Sequence, residues 1–123
     1  MNIRRGDVVL ADYSHALVGT SLRPVLVIQS DFYNQRLTNT IVAQITSTLK
    51  RASEPAHFAV DLSTPEGRQS GLLRNSVVSC YNLNTVNEQR IRRVIGSFSA
   101  DMMRQIDASL GIALGLEPKS RQV

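Results

Sequence analysis

An arginine and a threonine stand at the ends of two successive apolar runs, and both side chains can hold a phosphate. Arg23 comes directly before the run at residues 24–30, and Thr46 closes the run at residues 40–46. A planar guanidinium donates two parallel hydrogen bonds to a phosphate, and a hydroxyl can donate one more. If the runs are neighbouring antiparallel strands, the start of one lies beside the end of the other. That pairing predicts a cation beside a hydroxyl at one edge of a sheet.

Each of these two residues also has an ordinary structural interpretation. Arg23 is equally typical of a solvated arginine at the start of a strand, and the Thr46 hydroxyl could satisfy a local backbone group. Pro24 favours the functional interpretation, because a proline pushes the preceding residue towards an extended backbone. A residue at the edge of a rigid strand has the defined position that catalysis requires.

Histidines and a cluster of arginines are the other candidates for chemistry. His15 and His57 could each carry a proton near neutral pH, or could be surface residues. Strand alternation would separate Arg90 and Arg92 from Arg93. This cluster is either a solvated edge that opposes aggregation or part of a groove along a nucleic-acid backbone. No close pair of carboxylates suits a metal, so we expect a metal-free reaction with no cofactor.

Composition indicates one basic domain with an aliphatic core. The chain has 123 residues, a net charge of +4, 5% aromatic residues and no tryptophan. Only Lys50 and Lys119 of its 14 basic residues are lysines, and arginine is the better phosphate ligand. Cys80 is the single cysteine, which excludes an internal disulfide. No apolar run approaches the roughly 18 residues of a membrane span, so we predict a cytoplasmic protein.

Hydrophobic periodicity predicts six strands followed by one helix. The predicted strands cover residues 7–13, 24–30, 40–46, 57–62, 70–83 and 92–98. Their short connections favour a compact antiparallel barrel or sandwich. A helix is predicted from an N-cap at Ser99 to Gly115. We expect it to pack on one open side of the barrel through an apolar stripe formed by Met103, Ile106, Leu110, Ala113 and Leu114.

Five blocks of the sequence, in order and with similar gaps, resemble the MazF/PemK toxins of type II toxin–antitoxin systems. The blocks are RRGDVVLADY, RPVLVIQSDFYN, TIVAQITS, SGLLRNSVVSCYNLNTVNEQRI and IGSFSADMMRQIDASLGIALGL, and the resemblance runs over about residues 3–116. The resemblance implies a mainly β fold with a C-terminal helix, a small SH3-like β-barrel of the MazF/PemK/CcdB type. It implies one toxin domain at residues 1–116, with a flexible tail at 117–123, and assembly as a homodimer.

The resemblance also implies an activity and a partner. Such toxins are sequence-specific, metal-independent endoribonucleases that cut single-stranded RNA, chiefly mRNA, through attack of the 2′-OH on the phosphate. A cognate MazE-like antitoxin would cover the RNA groove with an acidic segment. The arginine before proline and the threonine that ends the third strand carry catalysis in this family. These positions are Arg23 and Thr46.

Further site residues follow from the resemblance, with departures from the family pattern. The loop before Arg23 keeps a glycine but lacks the Glu-Gln part common in relatives, and Asn84 stands where arginine is common. The positions at which some members have an Arg and an Asp are occupied here by Ser79 and Tyr81, so no residue is assigned as the general base. The predicted substrate-binding residues are Gly19, Ser47, His57, Ser79 and Tyr81.

Two other functions remain open on the sequence alone. The first is a toxin of the same fold that targets gyrase by protein binding, which would need no Arg23–Thr46 pair. The second is a catalytically silent RNA-binding regulator, which the missing Glu-Gln and Asp would allow.

Overall fold

One antiparallel sheet of six strands and one long helix form most of the protein, of which a computed structural model describes residues 1–116. The strands are β1 (Asp7–Asp12), β2 (Leu22–Val27), β3 (Asn39–Thr46), β4 (His57–Val60), β5 (Ser76–Asn87) and β6 (Ile91–Ser97). The helices are α1 (Asp31–Asn34), α2 (Pro65–Gln69) and α3 (Ala100–Leu114), and a single 3₁₀ turn covers Glu88–Arg90.

The sheet has the strand order β4-β5-β3-β2-β1-β6, and it does not close on itself. All neighbouring strands are antiparallel, as the short connections predict. The predicted mainly β architecture with a C-terminal helix is therefore confirmed, as an open sheet. The predicted tail at 117–123 lies outside the described residues. Within residues 1–116, no helix is long and apolar enough to cross a membrane.

The fifth strand begins later than predicted, because a short helix and a turn precede it. Thr64 caps α2 by accepting a hydrogen bond from the Gly67 amide, and Pro65 occupies the first helical turn. Gly71 then has φ +75°, a left-handed backbone that glycine adopts readily. The apolar pair after Gly71 suggested a strand from residue 70, but β5 starts at Ser76. Residues 72–75 therefore form a loop.

Two apolar clusters lie on opposite faces of the sheet. The larger cluster is covered by α3 through Met102, Ile106 and Leu110, and it includes Cys80. The smaller is aliphatic, formed by Ile3, Val9, Ala11, Val25, Val27, Val42 and Val86. Alternate residues of β1, β2 and β3 contribute to the two clusters, as strand geometry requires.

The predicted N-cap and end of α3 are confirmed. The Ser99 hydroxyl accepts a hydrogen bond from the Met102 amide, and Gly115 ends the helix with φ +73°. The predicted apolar stripe is correct through its middle but not at its end. Leu114 is 53% exposed, because the last turn extends past the core.

Candidate active site

Strands β2 and β3 bring Arg23 and Thr46 to the same end of the sheet, where β2 begins and β3 ends. The paired register ends with Val25 opposite Gln44, and Arg23 and Thr46 each lie two residues beyond that pair, at the same end of the two strands. Both residues line a cleft of about 750 Å³. The pairing from which the sequence argument started is therefore the pairing in the structure.

The side chains of Arg23 and Thr46 retain the hydrogen-bonding capacity that a phosphate would need. Arg23 is exposed, and among residues 1–116 its guanidinium has no hydrogen-bond or salt-bridge partner. The Thr46 Oγ1 accepts a hydrogen bond of 3.1 Å from the Thr48 amide. The Thr46 hydroxyl oxygen accepts this local hydrogen bond, and the hydroxyl proton remains available for donation to a ligand.

Two more arginines, both absent from the predicted site, line the same cleft. Arg74 lies in the loop before β5, and Arg93 lies on β6. Both are exposed, and neither guanidinium has a partner within the described residues. Ser47, a predicted substrate-binding residue, also lines the cleft. The cleft is therefore lined by three arginines that have no partner within residues 1–116 and by the hydroxyl residues Thr46, Ser47 and Ser76.

The other two arginines of the 90–93 segment have structural partners instead. Arg92 Nη2 lies 2.6 Å from Asp12 Oδ2, and Arg90 Nη1 donates to the carbonyl oxygens of Asp12 and Ser14. Arg93 is separated from Arg90 and Arg92 as predicted, although Arg90 lies in the 3₁₀ turn before β6 and not on the strand. Of the arginines in this segment only Arg93 lines the cleft, so a groove along a nucleic-acid backbone stays a prediction for Arg93.

A second polar cluster is centred on His57 and Ser79. Nδ1 of His57 lies 2.6 Å from the Arg51 carbonyl oxygen, which can only accept, so Nδ1 carries a proton. In the neutral ring, Nε2 then accepts from the Ser79 hydroxyl at 3.1 Å, and the Asn82 amide donates to the same hydroxyl oxygen. Ser79 pairs with Gln44, which lines the cleft, so this cluster lies on the same side of the sheet.

Tyr81 adds an exposed ring to this second cluster. Its ring centroid lies 5.0 Å from that of His57, and its hydroxyl donates to the Glu54 carboxylate at 3.2 Å. The ring is 45% exposed, which leaves a surface on which a base could stack. The predicted substrate-binding residues thus divide between the cleft, which holds Ser47, and this cluster.

Gly19 lies apart from both groups. Its amide donates to Asp12 Oδ2 at 2.8 Å, and the residue does not line the cleft. The substrate-binding role assigned to Gly19 stays a prediction. Cys80 is fully buried, and burial raises the pKa of its thiol to about 11, which keeps the thiol protonated near neutral pH. In residues 1–116 no three His, Cys, Asp or Glu side chains are grouped as metal ligands.

Comparisons with known proteins agree with this geometry. Residues 4–114 match the family described as the PemK-like, MazF-like toxin of type II toxin-antitoxin system. The chain is 36% identical over 119 residues to Endoribonuclease EndoA of Bacillus subtilis (strain 168), with 94% of this chain and 97% of that protein covered.

Two solved structures share the fold over nearly the full chain. The Mycobacterium tuberculosis toxin MazF-mt6 has a TM-score of 0.73 and 28% sequence identity, with 90% of this chain and 98% of that chain covered. A mycobacterial endoribonuclease in complex with its cognate antitoxin has a TM-score of 0.73 and 23% identity, with coverage of 94% and 97%.

Proposed function

The chain belongs to the PemK-like, MazF-like toxins of type II toxin–antitoxin systems, and from this premise we propose that it is an endoribonuclease whose Arg23–Thr46 cleft cuts single-stranded RNA. The observation that carries the proposal is the cleft, which is lined by Arg23, Arg74 and Arg93 and by Thr46. Cations without internal partners, beside a hydroxyl donor, form a site for a phosphodiester.

The chemistry requires no nucleophile from the protein, because RNA supplies its own. The 2′-oxygen attacks the adjacent phosphorus and loses its proton, and the bond from phosphorus to the 5′-oxygen breaks as that oxygen gains a proton. The products are a 2′,3′-cyclic phosphate and a 5′-hydroxyl. The protein contributes alignment of the 2′-oxygen with the leaving oxygen and stabilisation of the negative charge that develops.

Arg23 and Thr46 have the chemistry for the second task. The Arg23 guanidinium can donate two hydrogen bonds to the non-bridging oxygens, and the Thr46 hydroxyl can donate a third. Ser47 follows Thr46 in the chain and lines the same cleft, so its hydroxyl could bind the same phosphate or the next one. The flanking nucleotides would lie on the Ser79 side of the sheet, where Tyr81 offers a stacking surface and His57 a polar edge.

The proposal includes two partners. A cognate antitoxin of the MazE kind would inhibit the enzyme, as the mycobacterial relative's complex with its antitoxin suggests for this fold. A second copy of the chain would form a homodimer. Leu73 is 93% exposed at the cleft and Val94 is 45% exposed beside it, and a partner would cover such side chains.

The proposal is tested with purified protein, a long single-stranded RNA and a chelator. We expect cleavage at a short recurring sequence, with cyclic phosphate ends. Arg23→Ala should slow cleavage about 10²–10³-fold, the usual cost of one donor to transition-state charge. Arg4→Ala is the matched control, because Arg4 is exposed and does not line the cleft.

Each alternative result identifies a different function. RNA binding without cleavage would indicate a silent RNA-binding module, and inhibition of gyrase without RNA cleavage would indicate a protein-targeting toxin. Equal cleavage by wild type and the Arg23→Ala variant would place the chemistry elsewhere.

A further inference from the structure

A fully buried carboxylate, Asp12, lies at the end of β1 and has no role in the chemistry above. Its exposed fraction is 0%. Oδ1 accepts hydrogen bonds from the amide and the hydroxyl of Ser14, and Oδ2 accepts from the Gly19 amide at 2.8 Å. Arg92 completes the set through Oδ2 at 2.6 Å. A charge removed from water requires such partners, so these contacts form one interdependent unit.

The arginines extend this unit across three segments of the chain. Arg92 Nη2 also donates to the Leu17 carbonyl at 2.9 Å, and its Nη1 donates to the Gln89 carbonyl at 2.8 Å. Arg90 holds the carbonyl oxygens of Asp12 and Ser14, each at 2.9 Å. We call Asp12, Ser14, Arg90 and Arg92 the clasp, because they join the end of β1, the loop at residues 13–21 and β6.

The loop held by the clasp has a demanding backbone. Leu17 has φ +56°, a conformation that few residues other than glycine adopt, and Gly19 follows with φ +75°. The Val18 amide donates to the Ser14 hydroxyl at 3.1 Å, so the clasp holds both polar groups of the peptide bond that follows the strained residue. Such a backbone persists where the surrounding contacts over-determine it.

The clasp lies between the strands that carry two of the cleft arginines. Strand β1 pairs with β2 on one side and with β6 on the other. Ala11, the neighbour of Asp12, is opposite Arg23, and Leu10 is opposite Arg93. The loop runs from Asp12 directly into Leu22 and Arg23, and Arg92 precedes Arg93 in the chain. Both cleft arginines thus stand next to a residue that the clasp fixes.

We propose that Asp12 is a positioning residue for RNA cleavage, which holds the 13–21 loop on β6 and thereby directs Arg23 and Arg93 into the cleft. This inference rests on the proposed function. The carboxylate also pairs with Arg92, whereas Arg93 has no salt-bridge partner in the described part of the chain and could contact RNA. An acid with this role needs its charge and both oxygens, because donors approach from three different residues.

The test compares Asp12→Asn with wild type. The asparagine amide has the same size as the carboxylate. In either orientation, however, its NH₂ group meets hydrogen-bond donors, either those of Gly19 and Arg92 or those of Ser14. We expect kcat for RNA cleavage to fall at least tenfold, at a temperature where circular dichroism shows the variant folded. Binding of a non-cleavable 2′-deoxy analogue should weaken by a smaller factor than kcat, and by no more than the loss that Arg93→Ala causes. Hydrogen exchange of the Val18 and Gly19 amides should accelerate.

Two further variants keep the test decisive if Asp12→Asn does not fold. Arg92→Lys retains the charge but cannot reach Asp12, Leu17 and Gln89 together, so we expect an intermediate loss of kcat. The matched control is Arg5→Lys. It weakens a comparable contact, the 2.6 Å pair with Asp107, on the α3 side of the protein.

The possible outcomes separate the two proposals. A fall in kcat for the Asp12 and Arg92 variants, with Arg5→Lys at the wild-type rate, supports the clasp. A kcat within twofold of wild type in a folded Asp12→Asn or Arg92→Lys variant overturns it, while wild-type cleavage leaves the proposed function intact. Absence of cleavage by wild-type protein overturns both.

Discussion

Adjacent arginines of one strand differ in function because they face different surroundings. Arg92 is paired with a buried carboxylate, and hydrogen bonds from Ser14, with Arg92 assisting, hold the pKa of Asp12 well below its usual range. Arg93 lies one residue further on and lines the cleft. Arg92 therefore has a structural partner, and we propose an RNA-binding role for its neighbour Arg93.

Arg93→Ala tests the second of these roles. We expect weaker binding of single-stranded RNA, by a similar factor for every sequence, because a phosphate contact carries no base information. The slope of log affinity against log salt should become shallower by about 0.7, the value for one phosphate contact on a single strand. Fluorescence anisotropy of a non-cleavable RNA at several salt concentrations measures both quantities.

The control for this prediction is Arg104→Ala. Arg104 lies on α3, where its partner is Asp101, and it does not line the cleft. An unchanged salt slope in Arg93→Ala, or an equal change in Arg104→Ala, would argue against a phosphate contact at Arg93.

The sequence predicted only part of the candidate site at this scale. Arg23 and Thr46 could be placed together only by assuming that two successive apolar runs pair as antiparallel strands, as β2 and β3 do. Arg74 was missed because residues 70–83 look like one strand, and a strand interior gives no reason to expect a cleft residue. Asp12 lies within a predicted strand, and nothing local indicates that its charged partner, Arg92, lies 80 positions further along the chain.

At the scale of elements, the approach of the 70–71 turn to β6 determines the shape of the cleft. Gly71 has φ +75°, and a Cβ at this position would lie 2.0 Å from the Ile95 carbonyl oxygen. Gly96 meets the same turn from the β6 side, where a Cβ would lie 2.3 Å from the Ser70 carbonyl carbon. Glycines on both sides permit this close approach, which places the loop carrying Arg74 beside Arg93.

Gly71→Ala should therefore reduce both stability and cleavage. The left-handed backbone costs about 1–2 kcal/mol for alanine, and the clash adds about 1–3 kcal/mol to the loss of unfolding free energy. Gly115→Ala is the matched control, because Gly115 also has a positive φ but a Cβ at this position would meet open space. It should lose only about 1–2 kcal/mol. Urea denaturation measures the difference, and equal losses would contradict the close approach.

Secondary structure was predictable where a pattern is long, and less so where it is short. The regular spacing and the caps of α3 fixed its ends, because Ser99 and Gly115 have backbone roles that few other residues perform. Helix α2 has five residues, and its sequence PEGRQ has no apolar period. Its existence depends on the Thr64 cap and on packing of the buried Gly67, which only the folded chain reveals.

At the scale of the whole molecule, different parts of the sheet contribute to stability and to the cleft. The helix and the larger apolar cluster provide stability, while the polar edge at the start of β2 and the end of β3 carries the cleft. The net charge of +4 is modest, but three arginines without internal partners in residues 1–116 meet at this single cleft. Local arrangement, rather than total charge, makes the molecule suited to RNA.

The same scale explains what the sequence could not provide. Six strand patterns limit the fold to a small antiparallel sheet, but they do not determine the strand order β4-β5-β3-β2-β1-β6. That order places β1 between Arg23 and Arg93, and it arises from pairings over long separations along the chain. The resemblance to a toxin family supplied the architecture in advance, and the clasp came only from the structure.

The most direct test of the central claim replaces one atom of the substrate. After the cleavage site has been mapped, an RNA with 2′-deoxyribose at the nucleotide before that bond is compared with the unmodified RNA. Because the 2′-oxygen is the proposed nucleophile, the modified bond should stay intact while the RNA binds with affinity within a few-fold of the original. Cleavage of the deoxy-substituted bond at the original rate would show that another nucleophile acts, and would contradict the account.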